Sequence, residues 1–298
     1  MRIDAPDVEV LIDTPLGTGE GPLWSAAEQA LYFVDIEAPA LFRFDPATRA
    51  LKRWDMPSPI GSFGLCPDGR AVVALKTGVH LFDFATGAFD FLVAPEPDKP
   101  GNRLNDGKVG PDGRFWVGSM DDRPEKEPVA ALYRIDPDGA CTRMFDGLTV
   151  SNGLAWSPDG RTMFHSDSRQ RFIQAFDFDP VAGALSNRRR LRMMEEDDGR
   201  PDGAACDAEG FYWSSGVSAG CLNRIAPDGT LDRKVKLPVF GPTMPCFGGP
   251  DLKTLYVTSL RKERDGVRQA GTLIRFDVDV PGAPVARFGE PLRATPRP

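Results

Sequence analysis

The chain is poor in the residues that build metal knuckles and disulfide frameworks. Among 298 residues there are two histidines and five cysteines. Cys66, Cys141, Cys206, Cys221 and Cys246 are odd in number, widely spaced and form no CxxC. Paired disulfides and a zinc knuckle are therefore excluded as organising features, and buried reduced thiols are expected. Two histidines, His80 and His165, cannot supply a three-histidine metal centre. No stretch of about 18 apolar residues occurs, and the opening Met1-Arg2-Ile3-Asp4-Ala5-Pro6-Asp7 has no apolar run of signal-peptide length. A soluble cytoplasmic protein with no membrane partner is expected. Positive charge is also in deficit: 36 Lys and Arg stand against 43 Asp and Glu, a net charge of −7. That balance disfavours nucleic acid as a partner. No segment carries a long capped period of 3.6, so helices are expected to be few.

Glycine and proline, by contrast, are abundant: 31 and 28 residues. A fifth of the chain in these two types suits many short strands joined by turns. Six compact apolar segments support this. They are Ala30–Val34, Arg70–Ala74, Arg114–Gly118, Thr162–His165, Gly210–Trp213 and Thr254–Val257. Counted from Tyr32, Val72, Phe115, Met163, Phe211 and Leu255, they recur at spacings of 40, 43, 48, 48 and 44. Turns such as Pro67-Asp68-Gly69, Pro111-Asp112-Gly113 and Pro158-Asp159-Gly160 precede three of them. A second set of six follows the first, from Leu41-Phe42-Arg43-Phe44 to Leu273-Ile274-Arg275-Phe276, with the alternation of strands. Six such units match the length of propeller blades, and radial closure removes open sheet edges. The reading is all-β: a six-bladed β-propeller forming a single domain over 1–298, with the strand near 8–12 completing the last blade. A large β-sandwich is the alternative, and it leaves two interleaved sets of six unexplained.

Just before the apolar strands, which are read as the inner ones, four units carry a polar residue and then glycine: Glu20-Gly21, Asp106-Gly107, Asn152-Gly153 and Asp202-Gly203. The other two have Gly61-Ser62 and Cys246-Phe247 near that place. Any one such pair is an ordinary turn. Four at one repeat phase place Glu20, Asn152, Asp202 and the Asn105-Asp106 pair at one mouth of a central channel. Carboxylates crowded there need shared protons or a cation, and all-oxygen donors suit a hard divalent ion.

Gly19-Glu20-Gly21-Pro22-Leu23-Trp24, Arg103-Leu104-Asn105-Asp106-Gly107-Lys108, Ser151-Asn152-Gly153-Leu154-Ala155-Trp156 and Pro201-Asp202-Gly203 resemble the signature motifs of the senescence marker protein/gluconolactonase/regucalcin-like family. The resemblance spans nearly the whole chain. It implies a six-bladed propeller that hydrolyses a sugar lactone with one divalent metal (Ca, Zn, Mn, Mg or Fe(II)). By the same resemblance Glu20, Asn152 and Asp202 are metal ligands, Arg103 and Asn105 bind substrate, and Asp202 is also the candidate general base. Around Met120–Pro128 the family often offers a glutamate to the sugar. This chain reads Asp121-Asp122-Arg123-Pro124-Glu125, and Asp122 is taken as the substrate-binding acid.

Competing readings are weaker. Gly216-Val217-Ser218-Ala219-Gly220 matches the G-x-S-x-G elbow, but both histidines lie upstream of the serine, and a Gly-rich loop accounts for it. His165 is expected at an inner-strand position, lining the channel or making a structural hydrogen bond. Arg188-Arg189-Arg190 and Arg192, followed by Glu195-Glu196-Asp197-Asp198, read as a solvated loop pair of opposite charge. Trp24 and Trp156 are expected to pack between blades, and the exposed Glu125–Pro128 loop to stand near the mouth as a lid. Besides an aldonolactone hydrolase, a non-catalytic metal-binding scaffold and a hydrolase of another ester or phosphotriester are the alternative functions.

Overall fold

The computed structural model describes residues 1–292. Two short strands open the chain, β1 (Arg2–Asp4) and β2 (Glu9–Val10). Blade one follows as β3 (Gly19–Ser25), β4 (Ala30–Asp35), β5 (Ala40–Phe44) and β6 (Leu51–Asp55), and blade two as β7 (Ile60–Leu65), β8 (Arg70–Leu75), β9 (Gly78–Asp83) and β10 (Phe89–Val93). Blade three comprises β11 (Asn102–Val109), β12 (Phe115–Asp121), β13 (Ala130–Ile135) and β14 (Cys141–Leu148). Blade four comprises β15 (Ser151–Trp156), β16 (Thr162–Asp167), β17 (Phe172–Asp179) and β18 (Ala184–Met193). Blade five comprises β19 (Pro201–Cys206), β20 (Tyr212–Gly216), β21 (Cys221–Ile225) and β22 (Leu231–Lys236). Blade six has β23 (Pro242–Gly248), β24 (Thr254–Ser259) and β27 (Leu273–Asp277), with a hairpin, β25 (Lys262–Arg264) and β26 (Val267–Gln269), inserted before β27. Among the described residues the only helical element is a 3-10 turn, Glu196–Asp198.

The chain is a six-bladed β-propeller. Each blade is an antiparallel meander, and the first strands β3, β7, β11, β15, β19 and β23 touch in that order round the channel, with β23 returning to β3. Ring closure uses β2, which pairs antiparallel with β27 through Glu9↔Arg275 and Val10↔Ile274. Thr243 on β23 adds to it by donating to the Gly19 carbonyl of β3 at 2.5 Å. A feature the repeats did not announce is β1, which adds a parallel fifth strand to β22.

Burial explains the periodicities. The second strands lie inside the ring with both faces covered, so β4 is buried throughout and reads as a continuous apolar run. The outer strands face water on one side, as the exposed pattern of β6 shows. The core sits between blades rather than within one: Leu23 and Val34 of blade one meet Phe63, Leu65 and Val73 of blade two. Trp24 stacks on Tyr256 at 5.6 Å between blades one and six, and Trp156 meets Trp116 of blade three at 6.1 Å.

Several expectations need correction. The strands after the Pro-Asp-Gly turns are second strands, not innermost ones. The polar-glycine pairs lie inside the innermost strands, because every one of those six strands bulges near its start. The shifts fall between Glu20 and Leu23, Ile60 and Ser62, Leu104 and Gly107, Asn152 and Ala155, Pro201 and Ala204, and Pro242 and Met244. The counterpart in blade six is thus Thr243, not Cys246-Phe247. His165 lies on a second strand, β16, fully buried between blades; of its two readings the structural one holds, with hydrogen bonds to Ser151 and Gln174. Arg188 to Arg192 belong to strand β18, not to a loop. Cys141 is exposed, while the other four thiols are buried and free.

The far mouth of the channel is covered by the segment after β27. Phe288 N donates to Leu65 O at 2.9 Å, Gly289 N to Gly113 O at 2.8 Å, and Leu292 N to Pro111 O at 2.9 Å. Beneath it, an apolar cavity of about 170 Å³ is lined by Trp24, Trp156, Cys206 and Cys246.

Candidate active site

The bulges carry the site. A bulge adds one residue to a strand, bends it and re-aims a side chain that regular alternation would bury in the sheet. Gly21 (φ 54°) and Gly153 (φ 66°) take the left-handed conformation there, directly after Glu20 and Asn152. A side chain at Gly153 would also overlap the Tyr212 hydroxyl at 2.2 Å. Blade two contributes no donor for a steric reason. A Cβ on Gly61 would lie 2.6 Å from Leu104 O and 2.7 Å from Asn105 O, so β11 packs against bare backbone. In blade six the hydroxyl of Thr243 is spent on Gly19 O and Thr258.

The remaining four blades deliver Glu20, Asn105 with Asp106, Asn152 and Asp202, all buried. Asn152 is held from two sides. Its Nδ2 donates to Ser168 Oγ at 2.7 Å, and Ser168 Oγ in turn donates to the carbonyl of Pro201, beside Asp202, at 2.5 Å. That fixes Asn152 Oδ1 as the accepting face of the amide, to which Asn105 Nδ2 donates at 3.3 Å, leaving its second lone pair free. Asn105 is oriented by donating to Ser151 O at 2.9 Å and by accepting from Arg103 Nη1 at 2.8 Å. Arg103 Nε reaches Asp122 Oδ1 at 3.3 Å, and Asp122 also faces Lys76 at 3.6 Å. Asp121, its neighbour, points away and anchors the loop: it accepts from Arg123 at 2.8 and 3.0 Å and from Glu127 N at 2.7 Å.

Charge in the channel is out of balance. Burial, then Asp202 and Asp106, hold the Glu20 carboxyl well above the usual carboxylate range. Burial and the Asp106 charge push Asp202 up to about 8. Asp106 is raised too, chiefly by burial, and its Oδ1 is buried without a hydrogen-bond partner. The cations nearby are Lys108 and Arg103, both lowered by burial, with Arg103 shared with Asp122, and the exposed Arg200, which partly offsets the rise at Asp202. Lys108 was not singled out from the sequence. Its Nζ donates to Ala204 O at 2.7 Å, tying β11 across the channel to β19 two residues beyond Asp202. Nor was Ser168, although its place after Asp167, at the loop facing the mouth, is a readable signal.

Three buried carboxylates with so little compensation are the electrostatic signature of a cation site. Glu20, Asp202 and Asn152 Oδ1 form a hard, all-oxygen donor set that fits a divalent ion. Among the described residues no three His, Cys, Asp or Glu side chains are gathered closely enough to hold an ion by themselves.

Residues 18–261 match the SMP-30/Gluconolactonase/LRE-like region. The chain belongs to this family. It is 37% identical over 294 residues to a 6-deoxy-6-sulfogluconolactonase of Pseudomonas putida, covering 96% of this chain and 98% of that one. It is 37% identical over 257 residues to regucalcin of Xenopus laevis, covering 85% and 86% of the two chains. A crystal structure of a calcium-binding regucalcin from Agrobacterium tumefaciens superposes with a TM-score of 0.91 at 27% identity, over 97% of this chain and 99% of that one. No helix among the described residues is long and apolar enough to cross a membrane.

Proposed function

We propose that this chain hydrolyses a sugar lactone to the free aldonic acid, as a carboxylic ester hydrolase that depends on one divalent metal ion. The observation that carries the reading is the convergence of Glu20, Asn152 and Asp202 at one mouth, with both carboxyls forced above their ordinary range by burial and by each other's neighbours. A relative described as calcium-binding supports a hard divalent ion.

In this reading Glu20, Asn152 and Asp202 hold the ion. When bound, the ion supplies Lewis-acid polarisation of the lactone carbonyl. Arg103 presents its remaining guanidinium donors to the carbonyl and hydroxyl oxygens of the sugar, and Asn105, its amide protons engaged by Ser151 and Asn152, offers the second lone pair of Oδ1 to a sugar hydroxyl. Asp122, half-exposed beside Arg103, accepts from a sugar hydroxyl. Asp202 is the base: it takes a proton from the water as that water's oxygen bonds to the carbonyl carbon, the ring C–O bond then breaks, and Asp202 returns the proton to the departing ring oxygen, which ends as a hydroxyl. Ser168 and Lys108 bond to the backbone on either side of Asp202 and hold that strand in place. A scaffold that binds no ion has no use for such a set of buried, poorly compensated carboxylates.

The test is acid release from a panel of aldonolactones, with and without chelator, for wild type and Asp202→Ala. The panel includes 6-deoxy-6-sulfogluconolactone, the compound for which the Pseudomonas putida relative is named. Chelator-sensitive turnover that the substitution abolishes is the expected result. Absence of turnover on every lactone removes the enzymatic reading, and full activity in Asp202→Ala removes the assignment of the base.

A further inference from the structure

Three cations crowd one side of the same mouth, and the chemistry above uses none of them. Arg200 precedes Asp202 by two residues and is exposed. Lys262 and Arg264 come from β25 of the hairpin inserted in blade six. The hairpin register pairs Lys262 with Gln269, Glu263 with Arg268 and Arg264 with Val267. Strand alternation therefore separates the charges. Glu263 and Arg268 oppose each other on one face, while Lys262 and Arg264 share the other.

That second face leans over the neighbouring loops. Lys262 Nζ donates to Val217 O at 2.6 Å and Phe240 O at 3.1 Å. Arg264 Nη2 donates to Ser218 O at 3.2 Å, and its guanidinium lies 5.4 Å from the Phe240 ring. Gln269 locks the hairpin down by accepting from Phe240 N at 2.7 Å and donating to Pro238 O at 3.0 Å. Arg200 N donates to Ser218 Oγ at 2.8 Å, bringing the third cation to the same loop. The charges feel one another. Burial first, then Arg264 and Arg200, push the Lys262 ammonium below the ordinary lysine value. Arg200 stands immediately before β19 and two residues before Asp202, so the cluster borders the reacting end of the site.

Among the described residues, no ion pair joins any of the three to a carboxylate, although most arginines of this acidic chain have one. Like charges gathered on one loop, Lys262 and Arg264 by hydrogen bonds to its backbone carbonyls and neighbours and Arg200 by its own backbone N–H, raise the free energy of the empty protein beside an active-site mouth. A bound anion offsets that cost and is drawn in by the local field. We propose that Arg200, Lys262 and Arg264 form an anion subsite that selects a sugar lactone bearing a negatively charged group (sulfonate, phosphate or carboxylate) at the end away from the lactone carbonyl. The proposal rests on the lactonase reading and adds the substrate class to it.

The experiment is calorimetric binding of four product acids to the metal-loaded full chain: gluconate, 6-phosphogluconate, 6-deoxy-6-sulfogluconate and glucarate. None of these requires turnover. At least one of the three acids with a second anionic group is expected to bind about tenfold more tightly than gluconate, with the advantage shrinking as salt is raised. The best of the three identifies the group. Arg200→Gln and Arg264→Gln are each expected to reduce the advantage severalfold, and the double variant to erase it. Both side chains are exposed, and a melting curve confirms that each variant folds. Equal binding of all four acids to wild type, or an advantage that survives in the double variant, overturns the subsite. Failure of the lactonase reading has a different signature: the anionic acids bind selectively while no lactone is opened.

Discussion

His165 Nε2 lies 2.8 Å from Ser151 Oγ, immediately behind the strand that carries Asn152. The proton's position follows from the partners. Arg188 Nε donates to Gln174 Oε1 at 2.9 Å, so the amide nitrogen of Gln174 faces His165 Nδ1 at 3.0 Å. Nδ1 must accept, and Nε2 carries the proton and gives it to Ser151. The Ser151 carbonyl then receives Asn105 Nδ2. One hydrogen-bonded line thus crosses blade four from its outer strand to the site.

Replacing this ring by an apolar one of similar size leaves Ser151 and Gln174 without buried partners. His165→Leu is expected to lower stability by about 2–3 kcal/mol at neutral pH. Burial, and then Arg188, hold the imidazole down to about 3. A lowered value in the folded state contributes stability that is complete above the ordinary histidine value and is lost as pH falls towards 3. Urea unfolding at pH 7 and at pH 4.5 checks both points: the gap between wild type and variant narrows at the lower pH. A gap that widens there removes the neutral-histidine assignment.

Glu20 and Asp202 carry the opposite sign. Their folded values are raised, so the associated stability is present at low pH and is lost as pH rises through the folded value, about 8 for Asp202. Chelated protein should therefore melt lower as pH increases from 5 to 8, by on the order of 5 °C. Divalent ion should flatten that slope and release protons on binding. Melting series with chelator and with Ca²⁺ or Mn²⁺ decide it, since parallel slopes would show that no ion relieves these carboxyls.

Asp202→Asn keeps the shape and removes the charge. Turnover is expected to fall on the order of 1000-fold, together with affinity for the ion. The same substitution should stabilise the chelated protein at pH 8, by about 1–3 kcal/mol, because a buried repulsive charge is gone. Loss of activity with loss of stability would instead mean that Asp202 serves the fold.

Gly61→Ala tests the close approach of blades two and three. The new methyl would meet two backbone carbonyls that cannot rotate away, at Leu104 and Asn105. A cost of about 2–3 kcal/mol is expected, with a fall in kcat/KM as β11 and Asn105 shift. Wild-type stability and kinetics in this variant would mean that β11 yields easily and does not hold Asn105.

Much of this was written in the repeats. Turn chemistry and strand alternation are local properties of a chain, so three Pro-Asp-Gly turns and two interleaved sets of six strands led to a propeller. The shared phase of Glu20, Asn152 and Asp202 pointed to one mouth. What the letters could not convey depended on register and on contacts distant in sequence. The six bulges moved the polar-glycine pairs from turns into the innermost strands, because a bulge is a relation between two strands and leaves no unambiguous mark in either. Which of Asp121 and Asp122 faces Arg103 depended on where β12 ends and the loop folds back. Lys108, Ser168 and the cations of the β25–β26 hairpin came into view once the blades were packed, since their partners lie up to 96 residues away. Local pattern specifies elements; side-chain direction and electrostatic company arise from how those elements are pressed together.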